Sequence, residues 1–146
     1  MRRDLDLLRD ILLKIEEKLP EENDLRIEDL IPLKYPVEPP IDADDETFDN
    51  YELEKAVYDG EYKKYAYYIQ LLIDSGFIVA IDASTLDRNA YIIQRLTSAG
   101  CDYIDSIRDA NIWKKVKEKI SAVSGSVTLE IIKSVAIGCI KNTLGL

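Results

Sequence analysis

YKKYAYYIQLLIDSGFIVAIDASTLDRNAYIIQRLTSAGCDYIDSIR, residues 62–108, is the stretch on which the fold turns. Tyr65, Tyr68, Ile69, Leu72 and Ile73 recur at helical spacing and predict a helix over residues 61–75, with Lys63, Lys64, Tyr67, Gln70 and Asp74 on its other faces. Gly76 is a stop signal after that helix. The apolar run at residues 77–81 then predicts a strand, residues 82–89 a polar turn with Ser84, Thr85, Asp87 and Arg88, and residues 90–96 a returning strand. Thr97 or Ser98 suits the cap of a further helix, with Ala99, Tyr103, Ile104 and Ile107 facing inward. A helix, a two-stranded hairpin and a second helix in this order are expected of a winged helix-turn-helix.

Working outward, Asp49 or Asn50 can cap a short helix through Val57 that Gly60 would end, with Leu53, Ala56 and Val57 inward. That short helix and the one over residues 61–75 form the helix-turn-helix candidate. At the start of the chain, Leu5, Leu8, Ile11, Leu12, Ile15 and Leu19 make one apolar stripe, which predicts a helix over residues 3–18 closed by Pro20. Asp4 and Asp6 sit near its positive end, and Lys14 and Lys18 near its negative end. Residues 20–50 hold all five prolines and read as an acidic, Pro-rich connection, with a short strand or turn allowed around residues 25–33.

On the other side, Ile112, Trp113, Val116 and Ile120 predict a helix with Lys114, Lys115, Lys117 and Lys119 outside. Those lysines are a solubilising face, or else a phosphate contact or a dock for the acidic connection. Residues 126–146 carry a C-terminal helix apolar around most of its circumference, which needs cover on more than one side. A homodimer contact through Ile132, Val135 and Cys139 would supply it. The expected architecture is a single domain over residues 1–146, mainly α with a small β-hairpin wing (α+β) and additional C-terminal helices.

Composition narrows the function. The 146 residues carry a net charge of −9, which opposes DNA binding because such affinity comes from neutralising phosphates. The charge is unevenly placed: residues 21–62 hold three basic and fifteen acidic groups, whereas residues 63–146 hold eleven and eight. There is no His to act as a general base near neutral pH or to complete a zinc site with Cys101 and Cys139, which read as reduced thiols. No Gly-rich phosphate loop precedes a helix, so neither catalysis nor a cofactor or metal is expected. No apolar run approaches the roughly 18 residues of a membrane span, and MRRDLDLLRD carries acids where a signal peptide carries none, so a soluble, cytoplasmic protein is expected.

Three stretches, MRRDLDLLRDILLKIEE at residues 1–17, YYIQLLIDSGFI at 67–78, and YIIQRLTSAGCDYIDSIRDANIWKKVKEKI at 91–120 followed by GSVTLEIIKSVA, resemble the bacterial and phage family called domain of unknown function 2513. The resemblance implies a winged-helix body of a kind common in small phage or prophage proteins, and brings no activity with it. The chain departs from the family pattern at Ser98 and Cys101, where the motif has Trp and His, and at Tyr67–Tyr68, where it has a Tyr–His pair.

Two functional readings remain. As a DNA-binding regulator, the protein would use Lys63, Lys64, Tyr67 and Gln70 in the major groove and Arg88 and Asn89 at the wing. As an acidic interaction module or phage-type inhibitor, it would offer Asp42, Asp44, Asp45, Glu46, Asp49 and Glu52 to a nucleic-acid-handling enzyme.

Overall fold

The computed structural model describes residues 4–19, 24–123 and 127–146. Helix α1, Leu5–Lys18, is capped by Asp4, whose side chain accepts from the Leu7 amide, and it buries Leu8, Ile11, Leu12 and Ile15 as the apolar stripe requires. Strand β1, Leu25–Arg26, and the single turn α2, Ile27–Leu30, follow within the segment expected to be mostly connection. Leu25, Ile27, Leu30 and Ile31 are all buried, so this piece of chain belongs to the core.

The main departure from expectation is α3, which runs unbroken from Asp45 to Asp74. No proline occurs after Pro40, and the Asp44 carboxylate caps the new helix by accepting from the Thr47 amide at 2.8 Å. Gly60, expected to end a short helix, lies in its interior. A glycine there costs about 1 kcal/mol relative to Ala, too little to break a helix anchored on both sides by buried Tyr58 and Tyr62. There is accordingly no turn at residue 60. Continuity also fixes the phase of the whole helix from its buried stripe, Tyr58, Tyr62, Tyr65, Ile69 and Leu72, and this turns Leu53, Ala56 and Val57 outward. The end of the expected acidic connection, residues 45–50, is thus the exposed beginning of α3.

The hairpin forms as the apolar runs predict. Strand β2, Ile78–Asp82, pairs antiparallel with β3, Tyr91–Leu96, with a bulge between Val79 and Ala80. Strand β1 adds to the far side of β3 through Leu25 opposite Ile93, giving a three-stranded sheet in the order β1-β3-β2. Gly76 supplies the left-handed turn between α3 and β2, at φ 75°.

Thr97 caps α4, Ser98–Ile107, through the Gly100 amide. Gly100 is required for a different reason. A Cβ there would lie 2.1 Å from the Phe77 carbonyl oxygen, so only glycine lets α4 approach the start of the hairpin. Helix α5, Ala110–Ser121, buries Ile112, Trp113 and Val116. Its Lys117 pairs with Asp6 of α1 at 3.0 Å, and Asp6 also accepts from the Trp113 indole at 2.7 Å. Among the described residues no ion pair joins the acidic start of α3 to the lysines of α5.

Helix α6, Leu129–Leu144, packs on α4 and α5. Ile132 and Cys139, expected at a dimer contact, are buried inside the protomer together with Leu129 and Ala136, and Val135 is half-buried. Intramolecular packing supplies most of the cover this apolar helix needs, and its large outward apolar residues are Ile131, Ile137 and Leu144. The described residues form six helices and one small antiparallel sheet, so the molecule is mainly helical. Among the described residues no helix is long and apolar enough to cross a membrane.

Candidate nucleic-acid interface

The second half of α3 and the loop between β2 and β3 face each other across an open groove of about 430 Å³, lined by Tyr62, Lys63, Tyr67 and Gln70 from the helix and Leu86, Arg88 and Asn89 from the loop. Residues 62, 63, 66, 67 and 70 follow helical spacing and form one stripe of α3. Five of the six residues expected to touch nucleic acid come together here. The sixth, Lys64, is half-buried on the neighbouring face and does not line the groove.

The loop is built from its own hydrogen bonds. The Ser84 amide donates to Asp82, and the Ser84 hydroxyl both accepts from the Ala90 amide and lies 3.3 Å from the Ala90 carbonyl. The Ala83 amide donates to the Ala90 carbonyl, and the Thr85 amide to the Arg88 carbonyl at 3.0 Å. The Ser84 contacts hold the Asp82 carboxyl below the usual carboxylate range.

Arg88 leans back from this loop and stacks its guanidinium over the Tyr62 ring, 3.6 Å from the centroid. Burial, followed by the negative charge of Glu28, raises the Tyr62 phenol above its ordinary pKa, and Arg88 partly opposes this. The phenol therefore stays neutral, and its face serves as a platform that fixes the cation. Lys63 lies along the same groove. Among the described residues, neither the Lys63 ammonium nor the Arg88 guanidinium forms an ion pair or hydrogen bond. Most basic side chains of the described residues are likewise outside ion pairs, which involve only Arg108 and Lys117, so what distinguishes these two is their place in one groove, where both keep their donors available to an anion from outside.

Gln70 has a different position. Its carbonyl accepts from the Tyr91 hydroxyl and its amide donates to Asp74 at 2.8 Å, so the side chain ties α3 to β3. Its amide group is occupied before any ligand arrives, which makes it a support for the groove wall.

The acidic residues lie elsewhere. Asp42, Asp44, Asp45, Glu46, Asp49 and Glu52 are all exposed, from the turn before α3 through its first two turns. Hydrogen bonding from Thr47 lowers the Asp44 pKa, and the acids at this end complement the helix dipole. Asp45 and Lys63 are 18 positions apart on one helix, about 27 Å along its axis. The acidic surface and the groove are therefore separate places. Among the described residues no group of three or more His, Cys, Asp or Glu side chains converges on a common metal position.

Two groove residues escaped the sequence reading. Nothing in the spacing of Tyr62 marks it as a partner of Arg88. Leu86 carried a usable signal, a bulky apolar residue in the middle of a polar turn.

Comparison with known proteins places the chain without naming an activity. No solved structure matches it. A Haemophilus influenzae protein, described as an uncharacterized protein, is 29% identical over 136 residues, covering 93% of this chain and 92% of the relative. The family model described as "Hypothetical protein (DUF2513)" matches residues 2–126, a span that includes every element from α1 to α5, and the chain belongs to that family.

Proposed function

We propose that this protein is a noncatalytic winged-helix DNA binder that acts as a phage-type transcriptional regulator in the cytoplasm. The order α1, β1, α2, α3, β2, β3 with a β1-β3-β2 sheet supports the winged-helix reading, in which α2 and α3 are the two helices and the β2–β3 loop is the wing. The observation that carries the DNA reading is the pair of uncommitted cations, Lys63 and Arg88, in one groove with Tyr67 and Asn89. Cations of this kind bind phosphate oxygens, and Tyr67 and Asn89 add polar groups for sugar or base edges. Lys64 lies beside the groove as a further backbone contact, and Gln70 holds the wall in place. If the protein acts as a homodimer, the outward Ile131, Ile137 and Leu144 of α6 are apolar surface available for it.

Fluorescence anisotropy of the full chain on random-sequence duplex DNA, and on the duplex upstream of its own gene, tests this across low to physiological salt. Binding should weaken steeply with salt, and the double variant Lys63→Ala, Arg88→Ala should flatten the log–log slope by up to about two, at roughly 0.9 per phosphate contact. Absence of binding at low salt would overturn the proposal.

A second reading has its own observation. The exposed acids at the start of α3 share that stretch with the outward-facing Leu53 and Val57, a combination suited to a basic protein surface with apolar spots. A duplex-free protein that captures a purified basic nucleic-acid enzyme through residues 42–57 would favour it.

A further inference from the structure

Among the described residues Leu86 is the large apolar side chain most completely given to solvent, at 107% relative exposure, and it sits at the tip of the β2–β3 loop. Nothing in the fold explains a leucine there. Turn tips favour Gly, Pro, Asn, Asp or Ser, and a leucine left in water forgoes the stabilisation that burying its side chain would bring. The tip is also held firmly. Thr85 and Arg88 close a tight turn around Leu86 and Asp87, the Thr85 hydroxyl lies 3.4 Å from the Asp87 amide, and Ser84 pins the base of the loop to Ala90. Two residues further on, Arg88 is stacked on Tyr62 with its donors uncommitted.

We infer that Leu86 is a wedge that enters the minor groove between two base pairs and bends the bound duplex. This inference rests on the DNA reading above and adds what the tip does once the duplex is bound. Architectural DNA-binding proteins insert apolar side chains between base steps and kink the duplex by about 20–90°. The unstacking this requires is offset when the insertion buries apolar surface and flanking cations hold the backbone. Both conditions are present here, because Leu86 has its whole side chain to bury while Arg88 and Lys63 lie along the adjoining groove. Asp87 opposes the arrangement, since it lines the same groove as Lys63 and Arg88 and its negative charge repels phosphate.

The test uses the full chain and a duplex labelled at both ends for energy transfer, read at saturating protein together with affinity. Wild type should shorten the end-to-end distance, and Leu86→Ala should bind with less than about a tenfold loss while leaving the duplex straight. The salt dependence of that variant should match wild type, because no charge has been removed. Leu86→Phe should restore the bend, and Asp87→Asn should strengthen binding. Binding without a bend in wild type, or an undiminished bend in Leu86→Ala, would overturn the wedge and leave the DNA reading standing. Failure of wild type to bind at low salt would overturn both.

Discussion

Residues 45–57 and 58–74 are two halves of one helix, yet the chain treats them differently. The first half is acidic and exposed, with only Phe48, Tyr51 and Lys55 partly covered. The second buries Tyr58, Tyr62, Tyr65, Ala66, Tyr68, Ile69 and Leu72, and Tyr68 reaches α1 by accepting from the Asp4 amide at 2.5 Å. Tyr35, in the extended segment before α3, packs edge-on against Tyr58 at 5.2 Å between ring centroids, close to where the two halves meet. Helical continuity and burial therefore answer to different causes. The first half is a helix because it is capped by Asp44, free of proline and joined to a nucleated second half. The second half is buried because other elements lie against it.

The largest expected effect separates the halves by stability. Ile69→Ala, at a residue with no exposed surface, should cost about 2–5 kcal/mol in urea denaturation, whereas Leu53→Ala should change stability by no more than about 0.5 kcal/mol. Comparable losses at both would mean that the first half is covered by a partner in solution.

The junction itself comes next. A Cβ at Gly60 meets nothing within 4 Å, and its backbone is helical, so Gly60→Ala should stabilise the protein by about 0.5–1 kcal/mol. A loss of stability would reinstate a turn at this position and divide α3 in two.

The smallest effects concern single carboxylates. Asp44 and Asp6 both have folded pKa values lowered from 3.8, Asp44 by its hydrogen bonds from Thr47 and Asp6 chiefly by the bond from Trp113. A lowered folded pKa means that the stabilising contact is complete above about pH 4 and is lost as pH falls through the folded value. The Thr47 amide should therefore lose protection, relative to its intrinsic exchange rate, below pH 3.8, while amides near Ile69 keep theirs. Trp113 is the single tryptophan, so its fluorescence should titrate with a midpoint below 3.8, and Asp6→Asn should remove that step.

Much of this fold was readable because its signals are local. The stripe of α1, the two apolar runs of the hairpin, the Thr97 cap and the spacing of Ile112, Trp113 and Val116 each specify their element without help from distant residues. Gly60 misled because its breaking tendency is a weak local term, outweighed by the packing of tyrosines on either side. Leu53, Ala56 and Val57 then took the wrong face, since their phase is set by Tyr58 and Tyr62 and a presumed turn had erased that link. Ile132 and Cys139 were placed at a partner surface because the sequence reveals that α6 needs cover but leaves open whether α4 and α5 provide it. At the groove, spacing brought Lys63, Tyr67 and Gln70 to one stripe, and hairpin pairing brought Arg88 and Asn89 opposite. The Arg88–Tyr62 stack and the prior engagement of Gln70 depend on three-dimensional proximity and left no pattern in the chain.

Gly100 carries a consequence for how this sequence drifts over time. Every other residue would place a carbon 2.1 Å from the Phe77 carbonyl oxygen, a backbone atom that also accepts from the Thr97 amide. Relief would require moving α4 away from the hairpin, and no neighbouring side-chain change can accommodate that collision. As related chains diverge, glycine at this position should outlast most of its surroundings, a point fixed by backbone contact where its buried neighbours Tyr103, Ile104 and Ile107 can still exchange for other apolar side chains.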